Sequence, residues 1–283
     1  MPENFFANPD FDTEKFGREI ERPCARRSYA IYFTPRSGSS WLTDILRTSQ
    51  KVGNPSEWLN PNHVGNIAKA INAHDIDSYV AMLRRKQVRG GIFGLETTYY
   101  QLNKIFPDNA DFFTHFGAWT ESFYLIREDI VAQAVSLSKA VLTGVYHAVV
   151  TPAEELERAD EEYGYDRGDI LNWLDHIRSL EIKTEAFFAK FGIEPIRLSY
   201  EAITTSADAT VSAFFRKLNV EAAVDELPVS GHRRIATEKN SAFATRFRAE
   251  NSTFMRKIDA ARAPLIEKAR SQQEEFFSQP ISA

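Results

Sequence analysis

Short apolar runs alternate along the chain with longer stretches in which apolar residues recur every three or four positions. The runs at Tyr29–Phe33, Gly91–Leu95, Ser122–Ile126 and Pro195–Leu198 are rich in β-branched or aromatic residues, and a polar, helix-starting segment follows each. They predict β-strands. The helical period is plain in Ser40–Gln50, where Trp41, Leu42, Ile45 and Leu46 share a face, and in Ile130–Val145, with Val131, Ala134, Val135, Leu137 and Val141. It returns in Ile170–Phe191, which aligns Ile170, Trp173, Leu174, Ile177, Leu180, Phe187 and Phe191. Such stripes predict core packing and say nothing of a cofactor. Strands alternating with helices predict an α/β fold, a three-layer α/β/α arrangement around a central, mainly parallel sheet.

Three segments stand apart from this alternation within what reads as a single domain over residues 1–283. Residues 1–27 are polar and predict an arm or cap before the first strand. The acidic stretch 153–169 predicts a solvated surface helix or loop, which could also form part of an active-site rim. Residues 241–277 alternate Arg, Glu and Lys with Phe243, Phe247, Phe254, Met255 and Ile258, the pattern of one or two amphipathic helices.

Composition narrows the function. The chain has 283 residues, 43% of them apolar, enough to fill a core. A formal charge of -5 argues against a protein that coats nucleic acid or acidic membranes, so any anion site must be local. The lone cysteine, Cys24, rules out an intramolecular disulfide and suits a reducing cytoplasm. No basic segment followed by an apolar one opens the chain, and no apolar run reaches the ~18 residues of a membrane span. The expectation is a cytoplasmic protein that is not integral to the membrane. The histidines, His63, His74, His115, His147, His176 and His232, show no His-x-x-x-His spacing, and no metal is expected.

The first candidate strand runs into Thr34–Trp41, "TPRSGSSW". A strand followed by glycine, small hydroxyl residues and a helix is the sequence form of a phosphate cradle. Backbone N–H groups and the positive end of the helix face an anion, with Ser37, Ser39 and Ser40 as hydroxyl donors and Arg36 as a fixed charge. An ordinary serine-capped turn would read the same way. The nucleotide cradle Gly-x-x-x-x-Gly-Lys-Ser/Thr is not matched, because Ser39 follows Gly38 and the cation lies two positions before the glycine.

These residues resemble the 5′-phosphosulfate loop of the P-loop sulfotransferases. The resemblance implies that Arg36, Ser37, Gly38, Ser39 and Ser40 wrap the 5′-phosphate of 3′-phosphoadenosine 5′-phosphosulfate, the donor substrate. That donor carries a second phosphate. "YLIREDIVAQAVSLSKA" supplies Arg127 at a strand end and Ser136 nine residues on in the next helix, similar to the family's 3′-phosphate motif. An Arg127 paired with Glu128 or Asp129 beside a surface serine is the plainer alternative. "REDIVAQAVSLSKAVLTGVYH" and "ATEKNSAFATRFRAE" look closest to the bacterial trehalose 2-sulfotransferase-like branch.

In that branch a Gly-x-Pro-x-Glu-aromatic segment supplies the general base. Here "GNPSEW" places Glu57 at that position, with Trp58 as a sugar platform. Glu57 as a surface or capping carboxylate is the competing reading. His63 is the nearest rival base. Other sulfotransferases use a Lys-x-His segment, for which "GLETTYY" offers Glu96 and Thr98. Glu96 could therefore read an acceptor hydroxyl, act as a second base, or cap the next helix. Tyr99 and Tyr100 could line a carbohydrate groove, though core packing serves them equally. The run His232, Arg233, Arg234 is either a solvated loop or a lid over the donor.

The resemblance implies sulfuryl transfer from 3′-phosphoadenosine 5′-phosphosulfate to a hydroxyl of a small carbohydrate or a glycolipid, by a homodimer. The alternatives are a P-loop kinase or nucleotide hydrolase, and a noncatalytic nucleotide- or carbohydrate-binding protein of the same fold.

Overall fold

The computed structural model describes residues 5–117, 121–146, 151–221 and 237–278. His147 and the basic run at 232–234 lie outside them. A four-stranded sheet in the order β2-β1-β3-β4 forms the centre, from β1 (Arg27–Phe33), β2 (Ile92–Thr97), β3 (Glu121–Ile126) and β4 (Ile196–Ser199). Every pair is parallel, with Ile31 opposite Glu96 on one side and Phe123 on the other.

The period-two alternation of β1 explains the layers. Ala30 and Tyr32 pack on one face with Phe93, Leu95, Tyr124 and Ile126. Tyr29, Ile31 and Phe33 pack on the other with Phe123, Leu125 and Leu198. Both faces are apolar, as a parallel sheet buried on both sides requires. The first is covered by α3 (Val64–Ile71), α4 (Ile76–Lys86), α5 (Tyr99–Ile105), α6 (Asn109–Phe116) and the end of α9 (Arg167–Phe191). The second is covered by α2 (Ser39–Thr48), α11 (Ala207–Lys217) and Phe276 of α13 (Ser252–Ser278). This is the expected three-layer α/β/α fold.

Beside the sheet, α7 (Ile130–Thr143) and α9 pack with α12 (Glu238–Glu250) and α13 through Val131, Val135, Leu174, Ile177, Phe247 and Met255. A buried ion pair joins this layer to the sheet: Arg262 of α13 meets Glu181 of α9 at 2.8 Å. The same guanidinium donates to the backbone oxygens of Arg127 at 2.7 Å and Glu128 at 2.8 Å. The C-terminal helix thereby fixes the turn that follows β3.

The acidic stretch resolves into two parts. Ala153–Glu162 forms α8, in which Ala159 is the buried residue, and Asp166 then caps the N-terminus of α9 by accepting from the Asp169 N–H. Within residues 1–27, α1 (Thr13–Ile20) buries no side chain, while Phe6 and Ala25 enter the core around α3 and α4. Strand order reverses at β1, whose neighbours β2 and β3 are reached in opposite directions. Open α/β sheets bind ligands at the C-terminal ends of strands beside such a reversal.

Candidate active site

Residues 34–39 make the turn from β1 into α2 at that reversal. Arg36 has φ 66° and Gly38 φ 85°, both left-handed. Arginine adopts this region at a cost of about 1–2 kcal/mol, and such strain collects at functional sites. Glycine is required at 38 for a second reason: a Cβ there would stand 2.7 Å from Cδ2 of Tyr200. Gln133 of α7 fixes the turn by donating to Thr34 Oγ1 at 2.9 Å and to the Pro35 carbonyl at 2.7 Å.

The N-terminus of α2 has no side-chain cap, whereas Thr98 caps α5 and Asp166 caps α9. Its first-turn N–H groups and the positive end of its dipole are thus left for a ligand. The serines divide their tasks. Ser37 is buried and donates to the Thr34 carbonyl at 2.6 Å, so its hydroxyl proton holds the turn. The Ser39 hydroxyl bonds the Glu96 carboxylate, and Ser40 lines the adjoining cleft.

Arg36 reaches across to the second motif. Its Nε donates to Ser136 Oγ at 3.0 Å and its Nη1 to the Tyr146 carbonyl at 2.8 Å. Arg127, buried at the end of β3, has its guanidinium 4.7 Å from the Tyr200 ring centroid and 3.8 Å from Glu201 Oε1. Glu201 also accepts from the Glu128 N–H at 2.9 Å, which holds the turn beyond Arg127. Burial, and then the nearby charge of Arg127, push the proton affinity of Arg36 below its ordinary value. Two guanidinium groups held within mutual repulsion, beside an uncapped helix N-terminus, form an arrangement that an anion relieves. Arg36, Arg127 and Ser136, drawn from separate sequence motifs, stand together beside the N-terminus of α2.

From Pro35 and Ser40 a cleft of about 1160 Å3 extends to Glu57 and Glu96. The segment that carries Glu57 lies along the outer edge of β2. Gly53, at φ 81°, permits this, because a Cβ on it would come within 2.8 Å of the Ile92 carbonyl oxygen. The Glu96 N–H donates to the Ser56 carbonyl at 2.9 Å, and the indole N–H of Trp58 donates to the Gly94 carbonyl at 3.1 Å. Trp58 is thus pinned in the core with 8% of its surface exposed and contributes to the cleft wall.

Glu57 is half-buried. Asn60 Nδ2 donates to its Oε2 at 2.9 Å, and Gln101 Nε2 donates to the same oxygen. Among the described residues, none donates a hydrogen bond to its Oε1. Glu96 is 4% exposed, and burial together with the charge of Glu57 pushes its carboxyl up to about 8. Ser39 and Thr43 hydroxyls oppose that shift without cancelling it. Glu96 does not cap α5; Thr98 does so in a capping box with Gln101. His63 is exposed on the cleft rim, and Tyr100 and His176 pack against each other on the same wall with tilted rings, 5.2 Å between centroids.

A family model described as Stf0 sulphotransferase matches residues 28–250, from β1 through α12. The chain belongs to the Stf0 sulphotransferase family. It is therefore an enzyme that transfers sulfate, and every residue of the cradle and the cleft named above falls within the match. The trehalose 2-sulfotransferase of Mycobacterium tuberculosis is 23% identical over 263 residues, covering 80% of this chain and 96% of that protein. Among the described residues no helix is long and apolar enough to cross a membrane, and no three His, Cys, Asp or Glu side chains cluster as metal ligands.

Three residues of this Stf0 sulphotransferase were not singled out by the sequence motifs. Gln101 had a signal, since Thr98 and Gln101 have the spacing of a capping box. Gln133 sits inside the second motif but resembles any polar position on a helix. Tyr200 had no local signal, because its role arises only where α10 (Tyr200–Ile203), directly after β4, meets Gly38 and Arg127.

Proposed function

We propose that this enzyme transfers the sulfuryl group of 3′-phosphoadenosine 5′-phosphosulfate to a hydroxyl of a carbohydrate or glycolipid. The observation that carries the reading is the joining of Arg36, Arg127 and Ser136 at the uncapped end of α2, with Glu57 in the cleft that opens from the same turn. The donor supplies an activated sulfur whose leaving group is a phosphate. Arg36 and the first-turn N–H groups of α2, with Ser40, hold the phosphosulfate, and Arg127 and Ser136 hold the 3′-phosphate. Ser37 and Gly38 set the shape of the turn.

Glu57 Oε1 accepts the proton of the acceptor hydroxyl as its oxygen bonds to sulfur. The bond between sulfur and the phosphate oxygen breaks, and adenosine 3′,5′-bisphosphate leaves. Fixed positive charge at Arg36 stabilises the charge growing on that phosphate, the effect that dominates analogous transfers. Asn60 and Gln101 aim Glu57 through its other oxygen, and Glu96 holds a proton beside it in the empty cleft. Trp58 contributes wall surface for the sugar. The lone cysteine and the family likeness support a cytoplasmic homodimer as the working form.

Calorimetric titration with adenosine 3′,5′-bisphosphate tests the donor half of this reading. The wild type should bind, and Arg127→Ala should bind at least about tenfold more weakly, given the worth of a charged hydrogen bond. No binding by the wild type, or full binding by the variant, would overturn it.

A further inference from the structure

Among the described residues no cation is ion-paired with Glu57 or Glu96, the two carboxyl groups at the acceptor end of the cleft. Glu96 is 4% exposed, lines the cleft, and its Oε1 has no hydrogen-bond partner. The Glu96 N–H bond to the Ser56 carbonyl, 2.9 Å, keeps it beside Glu57. Of the other charged groups on the cleft wall, Arg47 and Asp44 are bound to each other at 2.6 Å. His63 stands on the exposed rim, and burial, then Lys183, hold His176 below its ordinary proton affinity, toward the neutral form. A buried carboxyl oxygen without a partner is costly, and beside a second carboxylate Glu96 stays uncharged in the empty pocket by holding a proton.

We infer that the acceptor carries an ammonium group near the hydroxyl it presents, and that Glu96 binds that ammonium. This rests on reading the cleft as the acceptor site. An N–H donor with positive charge satisfies the orphan oxygen and takes over from the Glu96 proton the task of offsetting the charge of Glu57. A neutral polyol could bond Oε1 but brings no charge, so Glu96 would keep its proton and gain no charge-assisted hydrogen bond. A bound metal is a poorer match, since no third ligand of the His, Cys, Asp or Glu type joins the pair among the described residues. The acceptor class is a hydroxylated amine, such as an amino sugar, with the amine on Glu96 and the hydroxyl toward Glu57.

Without amine Glu96 holds a proton, its carboxyl being pushed up to about 8. The ammonium favours the ionised form, so binding at neutral pH releases that proton to the buffer. The binding enthalpy must then vary with the ionisation enthalpy of the buffer.

The test is calorimetry on the full chain with matched probes: glucosamine against glucose, galactosamine against galactose, and ethanolamine against ethylene glycol. The amines should bind roughly ten- to a hundredfold more tightly than their neutral partners, the worth of one charged hydrogen bond. They should release a proton, and Glu96→Gln should lose both the preference and the release. Equal or tighter binding of the neutral partners, or a preference unchanged in Glu96→Gln, would overturn the inference. Adenosine 3′,5′-bisphosphate is titrated into both proteins as a check on folding. Bisphosphate binding without amine preference defeats this inference alone, and amine preference without bisphosphate binding defeats the donor reading alone.

Discussion

Arg36 and Ser136, a hundred residues apart in sequence, share a hydrogen bond of 3.0 Å from Nε to Oγ. That bond joins the turn after β1 to the helix after β3, and brings the two sequence motifs onto one surface. Arg36→Ala should weaken adenosine 3′,5′-bisphosphate binding by roughly ten- to a hundredfold, and Ser136→Ala by a few-fold, in keeping with charged and neutral hydrogen bonds. Removing the charge of Arg36 also relieves its repulsion with Arg127, so the urea midpoint of Arg36→Ala should not fall. Calorimetry and urea unfolding on the same preparations check both statements.

Glu57→Gln separates binding from chemistry. The amide keeps the shape of the side chain but accepts a proton poorly, so turnover should fall by about 10²–10⁴, the usual contribution of a general base. Bisphosphate affinity should match the wild type. A wild-type rate in the variant, measured under saturating donor, would remove Glu57 from the base role.

Gly38→Ala should be harmful on two counts. The residue has φ 85°, and the new Cβ would meet the Tyr200 ring at 2.7 Å. That ring backs Arg127 at 4.7 Å, so displacing it disturbs the cradle as well as the packing. A stability loss of at least about 1 kcal/mol with weakened bisphosphate binding is expected. Thermal unfolding and calorimetry would show it.

Much of this architecture was visible in the chain. The β-strands at 29–33, 91–95, 122–126 and 195–198 fall within one or two residues of their observed bounds, because alternating or continuous apolar residues mark buried strands clearly. Strand β2 runs on to Thr97, past where apolar residues stop, and so carries Glu96 into the sheet as a buried charge. No residue pattern announces that, because a buried carboxylate is decided by what surrounds it. Ser37 and Ser39 were legible as turn residues, yet the direction of each hydroxyl depends on Thr34 and Glu96. The acidic stretch looked uniform, while the cap at Asp166 splits it between α8 and α9.

Glu96 also gives the protein a pH signature. Its carboxyl lies at about 8 when folded against an ordinary 4.5, so between these pH values the native state binds the extra proton. Stability from this group therefore falls as pH rises through that window. Glu96→Gln, which cannot ionise, should flatten the fall: its stability relative to wild type should increase from the acidic to the alkaline end. Urea unfolding at both ends of the window measures the difference, and a constant difference would contradict the assignment.

Transfer of radiolabelled sulfate from 3′-phosphoadenosine 5′-phosphosulfate to a panel of neutral sugars, amino sugars and glycolipids tests the central claim most directly. The wild type should label at least one hydroxylated acceptor, while Glu57→Gln, still binding adenosine 3′,5′-bisphosphate, should label that acceptor at least about a hundredfold more slowly. Labelling at equal rates by both proteins, or no labelling of any acceptor by the wild type, would contradict it.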